Sequence, residues 1–194
     1  DSLTYEFIQD SDYENGLNKK EAERVIELLK EHKNRYSKET IGVITANQKQ
    51  EVYIFNQLIT KNYELFEWLK ESGAFIKSIE NVQGDERDII IFSTTYGPEE
   101  GNQRVNFGPI NQELGSNRIN VAITRAKKKM IVVSSIDLEQ ATKKVATSLH
   151  QGPRDFIDYI SYAKSLEKKS ERIRENGSEN QRIRESEIKR QLLH

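Results

Sequence analysis

Short runs rich in β-branched and aromatic residues occur along the chain, and polar segments separate them. Four of these runs predict strands, because their length and composition are typical of the strands of parallel sheets. They are IGVIT at 41–45, FIKSIE at 75–80, IIIFST at 89–94 and MIVVS at 130–134. Leu3, Tyr5 and Phe7 alternate with polar residues and indicate a further short strand.

Segments with apolar residues at helical spacing lie between the predicted strands. Asn18 and Glu21 have the spacing of a capping box, which predicts a helix that starts at Asn18. Further helices are predicted after the polar turn at 46–50, over 62–72 and over 137–148. Strands that alternate with helical crossovers predict an α/β fold, in which a mainly parallel sheet carries helices on its faces.

The C-terminal part of the chain divides by its apolar content. A stripe of apolar residues at helical spacing predicts that a helix over 151–168 docks on a domain formed by residues 1–150. The stripe comprises Phe156, Ile157, Ile160, Ala163 and Leu166. Residues 169–194 are mostly charged and contain a near-repeat, RIRENGSENQ followed by RIRESEIKRQ. We expect this tail to be a solvated helix or a linker.

Composition restricts the class of function. Of the 194 residues 31% are charged and the net charge is -1, so any basic surface for nucleic acid has to be local. There is no Cys, the His residues at 32, 150 and 194 lie far apart, and we predict no metal site. No apolar run approaches the length of a membrane span, about 18 residues, and no signal peptide is visible. The composition therefore favours a cytoplasmic location.

The means of holding ATP are missing from the sequence. It contains no GxxxxGK[ST], the P-loop that cradles phosphates, and no Asp-Glu pair after an apolar strand. The chain by itself therefore has no usual way to hold Mg-ATP. It starts at Asp1 without Met and ends in the charged tail, so we expect a fragment of a larger protein.

A polar turn precedes the run at 89–94. In NVQGDERD (81–88), Gln83 and Gly84 are expected to turn the chain at a strand end. The side chains of Gln83 and Glu86 are suited to hydrogen bonds with a sugar or a phosphate neighbour. An ordinary surface turn has the same composition, and the residues alone leave both interpretations open.

A cluster of cations follows a long loop at 97–117. NRINVAITRAKKK (117–129) contains five basic residues and no acid, and we predict a helix over 118–129. Arg118 and Arg125 are seven residues apart, about two helical turns, so both are expected on one face, where guanidinium groups bind phosphate well. A solvated basic helix end is the alternative.

Two weaker candidates lie in turns and loops. In NFGPIN (106–111), Phe107 would either stack on a base or plug a groove of its own domain. TANQKQ (45–50) places a hydroxyl and amides after a strand, a composition that also suits a capped strand-to-helix turn. The residues leave both pairs of alternatives open.

Three stretches, in this order, resemble the second RecA-like domain of superfamily 1 helicases, in the branch that includes the nonsense-mediated-decay helicase. IGVITANQKQ resembles motif IV, typically GVITPYxxQ, with Ala46 and Asn47 in place of Pro-Tyr. IKSIENVQGDERDIIIFSTTY resembles motif V, typically TVDxFQGxExDxIIxS, with Val82 in place of Phe. SNRINVAITRAKKKMIVVSS resembles motif VI, typically RRLNVALTRAKxxLxIVG, with Asn117 in place of the first Arg. The match spans about residues 18–135.

The resemblance implies a three-layer RecA-like fold of the P-loop NTPase class and a site for ATP with Mg2+. It implies that Arg125 is the arginine finger and that Gln83, Gly84 and Glu86 lie near the ribose or the γ-phosphate, with Glu86 orienting Arg118. Ligands for Mg2+ are expected on a first domain that this chain lacks. The nucleic-acid contacts that we expect are Thr45, Gln50, Ser78, Asn120 and Phe107.

The implied function is that of the second motor domain of an ATP-dependent helicase or translocase. Its expected partners are single-stranded DNA or RNA and an N-terminal RecA-like domain of the same protein, without a membrane. NFGPIN and GPRDFIDYISYAK resemble, more specifically, a bacterial group of large helicase-like proteins that often continue into a restriction-endonuclease-like domain, so a C-terminal nuclease domain is a further expected partner. The alternative is a non-catalytic RecA-like module that binds nucleic acid or protein in a defence or restriction protein.

Overall fold

The computed structural model describes residues 2–35 and 38–192, with side chains described up to residue 173. The strands are β1 (Leu3–Phe7), β2 (Ile41–Thr45), β3 (Phe75–Ser78), β4 (Arg87–Ser93), β5 (Pro98–Glu99), β6 (Asn102–Gln103) and β7 (Ala126–Ser134). The α-helices are α1 (Lys19–Asn34), α2 (Gln48–Lys61), α3 (Tyr63–Glu71), α4 (Gly115–Ile123), α5 (Leu138–Val145) and α6 (Gly152–Leu192). A short 3-10 helix covers Gly108–Asn111.

Five strands form one parallel sheet in the order β1-β7-β4-β2-β3. Strands β5 and β6 form a separate antiparallel hairpin within the long loop. The predicted α/β fold with a parallel sheet is confirmed. Strand β2 has its predicted bounds, whereas β3 ends at Ser78 rather than at residue 80.

The two faces of the sheet are covered by different helices. Alternate side chains of one strand point to opposite faces, and Val43 accordingly packs in a cluster with α1, α2 and α3. Its neighbour Ile44 packs in a second cluster, which includes residues of α4, α5 and α6. The sheet is therefore the middle layer of three, and this burial explains the continuous apolar runs of its central strands.

The predicted basic helix over 118–129 is wrong at its C-terminal end. Helix α4 ends at Ile123 and β7 begins at Ala126. Strand β7 pairs with β4 from its first residue, so the hydrogen bonds of the sheet outweigh the helix propensity of the three lysines that follow. Arg118 and Arg125 consequently belong to different segments and do not share a helical face.

Helix α6 docks on the second face of the sheet, as its apolar stripe predicts. Phe156, Ile157, Ile160 and Ala163 are fully buried in that cluster. The Phe156 ring lies 6.1 Å from the ring of Phe92 and 5.1 Å from that of Phe107, measured between centroids. The helix continues without a break to Leu192, so residues 169–192 of the tail are helical. None of the helices in the described ranges is both long and apolar enough to cross a membrane.

Candidate functional site

The predicted site residues lie at two ends of the parallel sheet. We call the end where the strands begin the amino edge and the end where they finish the carboxyl edge. The turn 83–86 precedes β4 and Arg125 precedes β7, so both lie at the amino edge. Thr45 and Ser78 are the last residues of β2 and β3 and lie at the carboxyl edge. The residues predicted to bind a nucleotide are thus separated from most of the residues predicted to bind nucleic acid.

The amino edge brings the turn 83–86 and Arg125 together. Strands β4 and β7 are neighbours, and Arg87 pairs with Ala126. The Arg87 amide donates a hydrogen bond to the Arg125 carbonyl over 3.1 Å. The two segments that the resemblance assigns to a nucleotide are therefore adjacent.

The turn 83–86 depends on Gly84. Gly84 has a φ of 84°, in the left-handed region that glycine enters without steric cost. A Cβ built there would meet no atom within 4 Å. The Asp85 carboxylate accepts a hydrogen bond from Lys77 Nζ over 2.6 Å, which ties the turn to β3. The turn therefore presents an open backbone at the amino edge, flanked by the exposed side chains of Gln83 and Glu86.

Arg125 is half-buried and held by hydrogen bonds within its own turn. Its Nε donates to the Val121 carbonyl over 2.9 Å, and one Nη donates to the Thr124 hydroxyl over 3.1 Å. Within the described ranges Arg125 forms no ion pair with a carboxylate. The guanidinium is thus oriented while its charge stays available to an anion.

The lysines that open β7 differ in how far their charge is neutralised. Lys128 Nζ lies 3.2 Å from the Asp88 carboxylate and 3.4 Å from that of Glu39. Its hydrogen bond to Asp88 is the main cause that raises the pKa of the Lys128 ammonium. Lys127 Nζ lies 3.9 Å from the Glu86 carboxylate, and both side chains are about half exposed. Since such pairs are weak, Lys127 is a second cation at the amino edge that an anion can use.

The Arg118 side chain makes a structural contact within the domain. Its Nη1 donates to the Pro109 carbonyl over 2.8 Å and so ties α4 to the short 3-10 helix. Glu86 pairs with Lys127, and among the described contacts it does not orient Arg118. Arg125 is therefore better placed than Arg118 to meet a ligand at the amino edge.

Three nucleic-acid candidates at the carboxyl edge are fully buried: Thr45, Gln50 and Ser78. The Thr45 hydroxyl donates to the Asn47 carbonyl over 2.8 Å. The Gln50 amide group hydrogen-bonds to both the backbone N–H and the carbonyl of Asn18, each over 2.8 Å. A side chain with no exposed surface has no atom to offer a nucleic acid, which corrects the expectation of direct contact. The Thr45 and Gln50 side chains hold the shape of the edge from beneath through these bonds, whereas the Ser78 hydroxyl is buried without a hydrogen-bond partner among the described residues.

The other two nucleic-acid candidates also lie away from the expected surface. Phe107 is 0% exposed, and its ring lies 5.4 Å from that of Tyr96. The groove-plug alternative is confirmed and base stacking by Phe107 is wrong, because its ring fills the core beneath α6. Asn120 is exposed but lies in the last turn of α4, where its carbonyl accepts hydrogen bonds from Thr124. That turn leads into the amino edge.

A buried carboxylate that the sequence analysis missed links α1 to the carboxyl edge. Glu21 lies in the first turn of α1, which Asn18 caps as predicted, and is 0% exposed. Its carboxylate accepts hydrogen bonds from the Ser93 hydroxyl over 2.8 Å and the Thr95 amide over 2.7 Å. The Ser135 amide and hydroxyl donate to it over 2.9 and 2.8 Å. One side chain thus ties α1 to the ends of β4 and β7.

Burial sets the electrostatics of Glu21. Loss of solvent raises the pKa of its carboxyl, while hydrogen bonds from Thr95, Ser93 and Ser135 act in the opposite direction. Those donors offset the cost of placing a carboxylate in the interior. The sequence carried one signal of this role, since Glu21 precedes Ala22 on the apolar side of α1, where an unpartnered charge would be costly.

A parallel five-stranded sheet with helices on both faces is the architecture of a three-layer α/β domain. Residues 4–137 match the family described as AAA domain. The match covers more than half of the chain, and the chain belongs to that family.

Sequence relatives of the chain are named as helicases. An uncharacterized ATP-dependent helicase from Mycoplasma genitalium is 37% identical over 173 residues, which are 83% of this chain and 15% of that protein. The DNA polymerase alpha-associated DNA helicase A of Saccharomyces cerevisiae is 30% identical over 140 residues, which are 70% of this chain and 18% of that protein. The chain is therefore homologous to ATP-dependent helicases but spans less than a fifth of the length of these relatives.

One solved structure has a weak overall likeness. The C-terminal domain of a possible DNA helicase from Lactobacillus plantarum superposes with a TM-score of 0.36 and 13% identity, over 69% of this chain and 74% of that one. A likeness at this level adds nothing to the fold described above.

Proposed function

We propose that the chain is the second motor domain of an ATP-dependent superfamily 1 helicase or translocase. The observation that carries the proposal is Arg125, whose guanidinium is anchored to Val121 and Thr124 and whose carbonyl bonds to Arg87, the residue after the turn 83–86. A guanidinium fixed in this way is suited to stabilise the charge that develops on a transferred phosphoryl group. Homology to ATP-dependent helicases supports the class of reaction.

The amino edge fits a triphosphate held by another domain. Arg125 and Lys127 are cations at one edge, and the open space around Gly84 lets the backbone approach a ligand. Gln83 and Glu86 offer an amide and a carboxylate for ribose hydroxyls. ATP, when bound with Mg2+, supplies the phosphoryl group that is transferred. In this assignment Arg125 binds and orients the γ-phosphate, and the ligands of Mg2+ belong to the first motor domain.

Hydrolysis needs a partner domain in this proposal. The printed sequence contains no P-loop, so the phosphates are held by an N-terminal RecA-like domain of the same protein. Closure of the two domains brings Arg125 to the phosphates and release reopens the cleft, a hinge motion driven by a ligand that binds the closed state better. Alternate closure and release would move the pair of domains along a strand.

We assign single-stranded nucleic acid to the carboxyl edge, at the opposite end of the strands from Arg125. The net charge of -1 means that only local groups contact phosphates, so binding is expected to be weak in this chain alone and sensitive to salt. Thr45 and Gln50 support this edge from within. The proposal extends to the branch that includes the nonsense-mediated-decay helicase and to a nuclease domain after residue 194. A full-length sequence without a nuclease motif there would contradict that last point.

The test replaces Arg125 in the full-length protein. Arg125→Ala is expected to lower kcat for ATP hydrolysis by about 10³-fold or more, while ATP binding changes little because the first domain holds the nucleotide. The measurements are steady-state hydrolysis in the presence of single-stranded DNA or RNA and titration with a fluorescent ATP analogue.

Arg172→Ala is the matched control, because Arg172 is an exposed arginine of α6 and belongs to none of the segments that form the amino edge. Hydrolysis at the wild-type rate by the Arg125 variant would contradict the assignment. If the wild-type full-length protein binds nucleic acid but does not hydrolyse ATP, the chain is instead a non-catalytic binding module.

A further inference from the structure

A small pocket at the carboxyl edge is lined by side chains that the proposed function does not use. Its volume is about 230 Å³, and it is lined by Tyr13, Tyr96, Arg104, Asn106 and Gly108. Tyr96 follows the end of β4, and the Tyr13 amide donates to the carbonyl of the first residue of β5 over 2.8 Å. Both tyrosines are thereby fixed at the end of the sheet where the strands finish.

The floor and one wall of the pocket are aromatic. Tyr13 is half-buried, and its ring centroid lies 5.2 Å from that of the buried Tyr96 at an angle of 48°. The Tyr96 ring in turn packs 5.4 Å from that of Phe107. Burial raises the pKa of the Tyr13 phenol above its usual value. Tyr13 is thus the outermost ring of a cluster of tilted aromatic rings.

Gly108 keeps the pocket open. It has a φ of 52°, and a Cβ built on it would lie 2.7 Å from the Tyr96 hydroxyl. Asn106 is exposed, and its side-chain oxygen accepts a hydrogen bond from the Gly108 amide over 3.2 Å. That contact leaves the NH2 end of the Asn106 amide as a donor for a ligand.

Arg104 supplies a planar cation at the rim. Its guanidinium pairs with the Glu99 carboxylate across the β5–β6 hairpin, which restricts the orientation of the side chain. The plane of the paired guanidinium remains a surface on which a planar ring can stack. Arginine planes and aromatic rings are the two surfaces on which unstacked bases settle.

We propose that this pocket binds one unstacked base of single-stranded DNA or RNA. The base stacks on the Tyr13 ring and on the Arg104 guanidinium, and its edge hydrogen-bonds to the Asn106 amide. The volume lies below the roughly 300–1,000 Å³ typical of sites for drug-sized ligands, so it suits a single ring system. This inference rests on the proposed helicase function and supplies the aromatic contact that the buried Phe107 does not.

The position of the pocket distinguishes a strand base from the adenine of ATP. Tyr96 follows the carboxyl end of β4, whereas the Gly84 turn and Arg125 lie at the amino ends of β4 and β7. Two lysines flank the loop that carries Tyr13: Lys20 Nζ donates to the Asp10 carbonyl, and Lys49 Nζ donates to the Asn15 carbonyl over 3.2 Å. These two contacts tie the loop that carries Tyr13 to helices α1 and α2.

The test compares two ligands of equal length and charge, a single strand that carries bases and the same backbone without bases. Full-length wild-type protein is expected to prefer the strand with bases in fluorescence anisotropy titrations, run with DNA and with RNA. Tyr13→Ala should reduce that preference by about 5- to 150-fold, the range expected for one base stacked on an aromatic ring. Tyr13→Phe should retain it, because the ring is preserved.

Tyr162→Ala is the matched control, since Tyr162 is an exposed tyrosine on α6, and thermal unfolding of each variant reports whether it folds. Wild-type preference in the Tyr13→Ala protein would overturn the pocket and leave the motor proposal standing. A wild-type protein that binds neither strand would overturn both. A free nucleoside monophosphate could also displace the strand at a lower concentration than the strand itself needs for binding. That result would identify the pocket as a mononucleotide site and would also overturn the inference.

Discussion

Glu21 joins the ends of two neighbouring strands at the carboxyl edge. Its carboxylate accepts hydrogen bonds from donors at the ends of β4 and β7 that are themselves buried. A buried donor left without an acceptor costs about 1–3 kcal/mol. The pocket beside Tyr96 begins just after these strand ends, so the geometry of the proposed base site depends on the same carboxylate.

Replacement of Glu21 by glutamine is therefore expected to destabilise the domain by about 2–4 kcal/mol. The amide keeps one acceptor but places an NH2 group against donors of β4 or β7. Urea unfolding of the chain measures the free energy. The control is Glu23→Gln on the exposed side of the same helix, for which a change within about 0.5 kcal/mol is expected. Equal stabilities of the two variants would show that the hydrogen bonds of Glu21 contribute nothing measurable to the free energy of unfolding.

The strands and helices show which parts of the fold a sequence can predict. IGVIT was predictable as β2 because its burial on both faces leaves an uninterrupted apolar run. The start of β7 was not, because three lysines at its beginning have no strand pattern and acquire their conformation from the pairing of Ala126 with Arg87. Long-range pairing of this kind leaves no local signal.

The candidate site likewise contains features that the sequence predicts and features that it does not. The order of three motifs led to Arg125 and to the turn 83–86, whose adjacency follows from neighbouring strands. The burial of Thr45 and Gln50 was not predictable, since polar residues after a strand suggest a surface turn and only the packed layers enclose them. Tyr13 lies in a loop without periodicity, so only the three-dimensional structure brings it to Tyr96.

The contribution of helix α6 to the stability of the domain can be tested. Phe156 is fully buried between Phe92 and Phe107, whereas Tyr162 on the same helix is 58% exposed. Phe156→Ala is expected to cost about 3–5 kcal/mol, because it removes a ring from a packed core, and Tyr162→Ala about 0.5 kcal/mol or less. Denaturant unfolding of both variants measures the difference. A small effect of Phe156→Ala would mean that α6 contributes little to the stability of the domain.

In the whole molecule the two proposed ligands bind at opposite ends of one sheet. Strand β7 has nine residues, which at about 3.3 Å per residue separates its ends by about 30 Å. Arg125 precedes this strand and Ser135, a donor to Glu21, follows it. In the proposed motor a rigid β7 would therefore carry movement of the nucleotide edge directly to the edge that holds the strand.

The same division of labour predicts that the 194-residue chain alone does not hydrolyse ATP. Its amino edge provides Arg125 and Lys127 to bind phosphate, but the sequence has no P-loop to hold the nucleotide. Phosphate release by the purified chain, with and without single-stranded DNA or RNA, is expected to equal that of its Arg125→Ala variant. This comparison separates turnover by the chain from that of a contaminating ATPase, which the substitution leaves unchanged. Release by the wild-type chain that is lost in the variant would mean that this domain binds and hydrolyses ATP without a partner, and the two-domain assignment would then fail.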